Sequence, residues 1–186
     1  MTVRLVEKLA KLQDDWADML QLRTLYALGF LACVAMMGIA VYYFQRFLGL
    51  EPCPLCILQR VAVIALGSVL LVAALHSPRG WGVRVYGALV TLVAGMGAAV
   101  AARQVWLQSL PKDQVPDCGP GLDYILQTFP ATKALSLILH GSGECAEVQW
   151  QFLGVSIAGW SLVAFTGFIV FGLVLLLRRS SGWPQR

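Results

Sequence analysis

The sequence predicts an all-α membrane protein, a four-transmembrane-helix bundle with both termini cytoplasmic and two loops on the outer face. Three observations carry that prediction. Of 186 residues, 58% are hydrophobic and only 13% charged, against roughly 45–50% and about 25% in ordinary soluble domains. The apolar residues fall in four runs, each close to the ~20 helical residues that cross a bilayer. Lysine and arginine gather in segments on one side of those runs, as they do in cytoplasmic segments. The runs are apolar all round, unlike the striped helices of soluble domains, and do not alternate as barrel strands do.

The elements follow in order. In residues 1–24, Leu5, Leu9, Leu12, Trp16 and Met19 recur at helical spacing, with Lys8, Lys11, Asp14, Asp15 and Asp18 mostly elsewhere on the wheel. That pattern predicts an amphipathic helix on the membrane surface; a polar tail is the plainer alternative. No cleavable signal is expected, because the first apolar run begins near residue 25 and exceeds the about 7–15 residues of a signal core. The first span, Leu25–Phe44, is uncharged, and a loop at about 45–56 follows it. The second span, Ile57–His76, is apolar apart from Gln59 and Arg60 at its start. A tight turn leads to the third, Trp81–Ala102, whose one charge is Arg84. The fourth, Ile157–Leu177, is uncharged and ends in the tail 178–186.

Between the last two spans lies the segment 103–156, much longer than ordinary connections and therefore expected to be functional or disordered. Its composition favours order. Leu122, Tyr124, Ile125, Leu126 and Phe129 form one apolar cluster, Leu135, Leu137, Ile138 and Leu139 a second, and Trp150, Phe152 and Leu153 a third. Short helices against the membrane face are expected there.

Orientation follows from the basic residues. Arg4, Lys8, Lys11, Arg23, Arg79, Arg84, Arg178, Arg179 and Arg186 fall on one side, leaving five of the 14 for the other. The first set marks the cytoplasmic face. The net charge of +4 reflects this bias, and no nucleic-acid signature accompanies it.

Four of the five cysteines then lie outside, where disulfides form and persist, and an even set suggests two of them. Cys33, within the first span, reads as a small buried hydrophobe. Cys53 and Cys56 bracket Pro54-Leu55 at the start of the second span. The spacing alone serves zinc sites and redox motifs equally. Its placement at the positive N-terminus of a helix stabilises a thiolate, and Pro54 suits a first helical turn. Arg60 follows Cys56 by one turn on the same face. A charged residue inside a span is a functional hypothesis by default, while snorkelling to the headgroups is the plainer reading and compatible with it. Arg103, at the outer end of the third span, reads as a topology anchor.

The loop pair differs. A Cys118–Cys145 disulfide would restrain the unfolded chain by about 3.5 kcal/mol, so a static staple is one reading. Yet Cys118 lies in the turn-rich Pro116-Asp117-Cys118-Gly119-Pro120-Gly121, where a foreign thiolate could reach it. Cys145 follows Gly141-Ser142-Gly143, which would let it change partners.

The stretch Glu51-Pro52-Cys53-Pro54-Leu55-Cys56-Ile57-Leu58-Gln59-Arg60 resembles the motif of the disulfide bond formation protein B (DsbB) family. The stretch Gly143-Glu144-Cys145-Ala146-Glu147-Val148-Gln149-Trp150-Gln151-Phe152-Leu153-Gly154 is similar to that family's second signature. The resemblance implies a bacterial inner-membrane thiol oxidase whose loops are periplasmic. Its partner would be a DsbA-like dithiol protein attacking a Cys118–Cys145 disulfide at Cys118. Cys145 would then attack Cys53 and free Cys56 as a thiolate. Cys56 would deliver two electrons to the membrane quinone pool, ubiquinone or menaquinone, with Arg60 stabilising the developing charge. DsbA is a strong oxidant, at about −120 mV, so few acceptors suit it and a quinone does.

Three other readings compete. A zinc protein would want compact ligand pairs, which the separation of Cys118 and Cys145 opposes. A non-catalytic membrane protein would keep two structural disulfides. A vitamin K epoxide reductase-like thiol oxidase would share the four helices and the Cys-x-x-Cys, with different loop contexts. His76 and His140 are isolated, and no metal role is expected for them.

Overall fold

The computed structural model describes residues 2–111, 113–115 and 122–178. α1, Thr2–Gly38, runs without a break into a π-helical segment, Ile39–Phe47. The N-terminal segment and the first span are therefore one continuous helix. α2 spans Pro54–His76, α3 Trp81–Gln108 and α7 Ile157–Leu177. Together with Met19–Phe47 these give four helices long and apolar enough to cross a membrane. The protein is an all-α, multi-pass membrane protein.

The long connection is ordered over its described part. α4 is Leu122–Thr128, α5 Ala131–His140 and α6 Gly143–Ala146, so two of the three apolar clusters are short helices as expected. The third is a hairpin instead, β1 Gln151–Phe152 pairing antiparallel with β2 Val155–Ser156. Its turn residues Leu153 and Gly154 have φ of 53° and 76°. Two consecutive positive φ values suit a tight hairpin turn; a leucine in the first of them gives no warning in sequence.

The helix ends are set locally. Cys53 caps α2, its sulfur accepting from the Cys56 N–H at 3.4 Å, with Pro54 in the first turn. Ser156 caps α7, its hydroxyl accepting from the Gly159 N–H at 3.2 Å. α2 ends where Ser77 turns left-handed at φ 49° and its N–H closes on the Ala73 carbonyl.

Neighbouring spans pack in the order α1, α2, α3, α7. Tyr26, Leu66, Leu70, Val90, Ala94 and Phe165 form the centre of the core. α3 and α7 approach closely at Gly87 and Gly172: a Cβ on Gly87 would stand 2.9 Å from the Gly172 carbonyl. Small residues permit such contact, and without a hydrophobic drive in lipid, close packing is what holds spans together. Leu75, Val163 and Leu177 stand 60–80% exposed on the outside of the bundle, the surface that lipid covers.

At one end of the bundle α3 continues past Ala102 to Gln108, and α6 packs against both α2 and α3. Arg103 secures the incoming segment: its guanidinium donates to the carbonyls of His140 at 3.0 Å and Leu139 at 3.4 Å, and lies 4.3 Å from the Trp106 ring centre. The residue read as a topology anchor also caps α5.

Candidate active site at the thiol cluster

The N-terminus of α2 gathers sulfur. Cys53 and Cys56 carry their Sγ atoms 2.8 Å apart, beyond the ~2.05 Å of a disulfide, and both are thiols. Cys145, also a thiol, is delivered by α6 into the same buried cluster, with Leu55 and Leu107 around it. Three of the four sequence-selected cysteines thus meet. Cys118 lies in 116–121, outside the described residues. Cys33 is buried among core residues far along α1, as a small hydrophobe would be.

The charges of this cluster are unequal. The Cys53 thiol hydrogen-bonds Cys145, and backbone groups of Ser142 and Leu55 add to that contact. Against its burial, these interactions pull the Cys145 thiol from its ordinary value down to about 6. The same contacts push Cys53 up, Cys145 first and Cys56 second, with burial adding to both. The contact thus favours the proton on Cys53 and the negative charge on Cys145. Leu55 sits in the first turn of α2, so the helix N-terminus expected to favour a thiolate within the Cys-x-x-Cys also serves the loop cysteine.

Two buried glutamines stand beneath the pair. Gln104 Nε2 lies 3.3 Å from the Cys56 sulfur and 3.4 Å from that of Cys53. Gln59 Nε2 donates to Gln104 Oε1 at 2.7 Å. Sequence reading missed Gln104, although a polar residue near the end of an apolar run is a usable signal; its partner lies 45 positions away on another helix.

Arg60 is half-buried and held from α1. Its Nη1 donates to Gln45 Oε1 at 2.8 Å and its Nη2 to the Ala40 carbonyl at 3.1 Å. Both acceptors belong to the π-helical segment, a distortion that recurs at functional sites. The guanidinium is therefore oriented by protein contacts.

Cys56 lies between two clefts. One, about 660 Å³ with part of it open to the surroundings, is walled by Met36, Met37, Ala40 and Phe44 and edged by Cys56, Gln59 and Arg60. The other is polar, with Glu51, Glu144, Glu147, Gln104 and Gln108 around Cys53 and Cys56. Trp150 packs edge-on against Phe44, ring centres 5.0 Å apart, and stacks on Phe152, so the hairpin adjoins the π-helical segment. Among the described residues no three His, Cys, Asp or Glu side chains are grouped to hold a metal ion.

A multi-pass membrane bundle with three adjacent thiols belongs to the class of membrane thiol–disulfide proteins. Residues 22–175 match the family model of the disulfide bond formation protein DsbB. A relative named disulfide bond formation protein B in Nitrosococcus oceani is 55% identical over 163 residues, covering 88% of this chain and 96% of its own. Others of that name, in Marinobacter nauticus and Hahella chejuensis, are 53% and 54% identical over 88% and 84% of this chain, and 98% and 94% of their own. The chain belongs to the DsbB family of disulfide bond formation proteins.

Proposed function

We propose that this protein oxidises a DsbA-like periplasmic dithiol protein and passes the two electrons to a membrane quinone. The observation that carries the reading is the position of Cys56, between a polar cleft that it shares with Cys53 and an apolar one edged by Arg60. That arrangement supports electrons entering on one side of the sulfur and leaving on the other.

The exchange begins at Cys118. A partner thiolate attacks that sulfur, breaks a Cys118–Cys145 disulfide and leaves Cys145 as the departing thiolate. Backbone groups of Ser142 and Leu55 favour the Cys145 thiolate, and a stabilised thiolate is a good leaving group. The partner's second thiol then resolves the mixed disulfide, completing its own oxidation. Cys145 lies against Cys53, the sulfur it attacks in a Cys53–Cys56 disulfide; Cys56 departs as a thiolate facing the amide of Gln104. Return of Cys118 onto Cys145 restores the loop disulfide and leaves the Cys53–Cys56 pair reduced.

The apolar cleft suits a quinone head: Met and Phe side chains wall it, and a cation and a thiol stand on its edge. Cys56 and Arg60 would hold it, and a bound quinone supplies a two-electron, two-proton acceptor that reoxidises the pair. Arg60, fixed by Gln45 and Ala40, places positive charge beside the departing electrons. The polar face would be periplasmic and the bilayer the bacterial inner membrane.

The test is turnover: detergent-solubilised protein, reduced DsbA-like partner and a soluble ubiquinone analogue, followed by quinone absorbance. Quinone reduction that depends on the partner, and that Cys56→Ser abolishes, is the expected result. No turnover by folded, quinone-loaded protein would refute the proposal, and turnover with an artificial dithiol alone would favour the vitamin K epoxide reductase-like reading.

A further inference from the structure

The mechanism above uses four sulfurs and one guanidinium and leaves the best-buried polar groups at the site without a task. Gln59 and Gln104 are 6% and 4% exposed, and a polar side chain at such depth in a membrane bundle is costly unless satisfied. An apolar pair would fill the same space without that penalty.

Gln59 Nε2 donates to Gln104 Oε1 at 2.7 Å, which holds the Gln104 amide with its NH2 group toward the thiol pair. There it finds two sulfurs, at 3.3 Å and 3.4 Å. An NH2 group has two hydrogens, one for each. The Gln104 oxygen also stands 3.7 Å from the Cys56 sulfur, where it accepts from the thiol; once that thiol ionises, the nearer NH2 group is the part of the amide that meets the charge. Donors fixed in advance toward a site of developing negative charge, away from water, are how proteins stabilise anions in transit.

We infer that Gln104 is a catalytic residue that stabilises the Cys56 thiolate through its amide NH2, and that Gln59 is the positioning residue that holds that amide in the donating orientation. The inference rests on the assignment of Cys56 as the departing sulfur, and it adds a second stabilising group to Arg60. Gln104 acts on the sulfur itself, whatever later accepts its electrons.

The experiment reads the sulfur directly, in reduced, quinone-free protein. Alkylation of Cys56 by iodoacetamide is timed by mass spectrometry from pH 6 to pH 10, in the otherwise unchanged chain and in Gln104→Leu. The expected result is about a tenfold slower reaction at pH 7, equivalent to one pH unit of lost thiolate, with the gap narrowing at pH 10 where ionisation needs less help. Gln59→Leu, which leaves Gln104 in place but unlocked, should slow the reaction in the same sense and by less. Gln104→Met serves if the leucine variant does not fold, and Gln104→Asn, which keeps the NH2 on a shorter stem, should recover part of the rate. Unchanged alkylation at pH 7 in folded Gln104→Leu or Gln104→Met overturns the inference. So does a slowing that is equal at pH 7 and pH 10, which would mean altered access rather than altered charge. Because no quinone or partner is present, these results stand apart from the turnover assay.

Discussion

The separation of proton and charge between Cys53 and Cys145 has a direct optical consequence. Cys145 ionises near 6 because the Cys53 thiol and backbone groups outweigh its burial. Reduced protein should therefore show a step in thiolate absorbance near 240 nm, rising with pH through about 6, and Cys145→Ser should remove it. The sign follows from the lowered value: below 6 the sulfur is protonated, and between 6 and an ordinary unfolded value near ~8.5 the folded state alone carries the charge. Stability of the reduced protein should accordingly rise over that interval. Arg60 acts through geometry instead. Its two donors are aligned on Gln45 Oε1 and the Ala40 carbonyl, a fork that lysine cannot reproduce. Arg60→Ala should raise the apparent quinone KM by about tenfold, on the order of one charged hydrogen bond. Arg60→Lys should recover little of it, and the 240 nm step should persist in both.

Elements differ in how openly the sequence declared them. The spans were legible because lipid demands unbroken apolar surface, and Leu25–Phe44 or Ile157–Leu177 satisfies that demand without reference to anything else. The start of α2 was legible too, since Pro54 acts locally in a first turn, whereas the cap that Cys53 supplies was not read from sequence. The π-helical turn of Ile39–Phe47 was not, because those residues read equally well as ordinary helix and the partner that uses the turn, Arg60, lies on α2. The Gln59–Gln104 pair was hidden for the same reason: each is one polar residue near the end of an apolar run, and only packing of α2 on α3 joins them. Two substitutions test elements rather than sulfurs. Gly172→Val places a side chain where the Gly87 carbonyl and the Thr91 backbone nitrogen each stand 2.9 Å from an added Cβ. Parting α3 from α7 should cost about 1–3 kcal/mol, seen as a lower Tm in detergent with the thiolate step intact. Arg103→Ala uncaps α5; hydrogen exchange over residues 131–146 should accelerate about fivefold, as loss of ~1 kcal/mol of partly solvent-screened contact predicts.

For the whole molecule the question is which end faces which compartment. The sulfurs, Arg60 and Arg103 occupy the end where α2 begins and α3 finishes; Arg23, Arg79, Arg84 and Arg178 belong to the other end, where α2 and α7 finish and α3 begins. Nine of the 14 basic residues belong in sequence to segments on that second side, and the positive-inside rule predicts that it is cytoplasmic. The proposed chemistry calls for the same orientation on independent grounds, because cytosolic reductants keep thiols reduced and would discharge any disulfide that Cys118, Cys145, Cys53 or Cys56 formed. A reporter fusion decides it. Alkaline phosphatase, active only outside the cytosol, should be inactive when joined after Arg186 and active when inserted between Asp113 and Gln114. A green fluorescent protein joined after Arg186 should fluoresce. Active phosphatase at Arg186 would instead place the thiol cluster in the reducing compartment, and neither a DsbA-like donor nor a persistent Cys118–Cys145 disulfide is compatible with that side of the membrane.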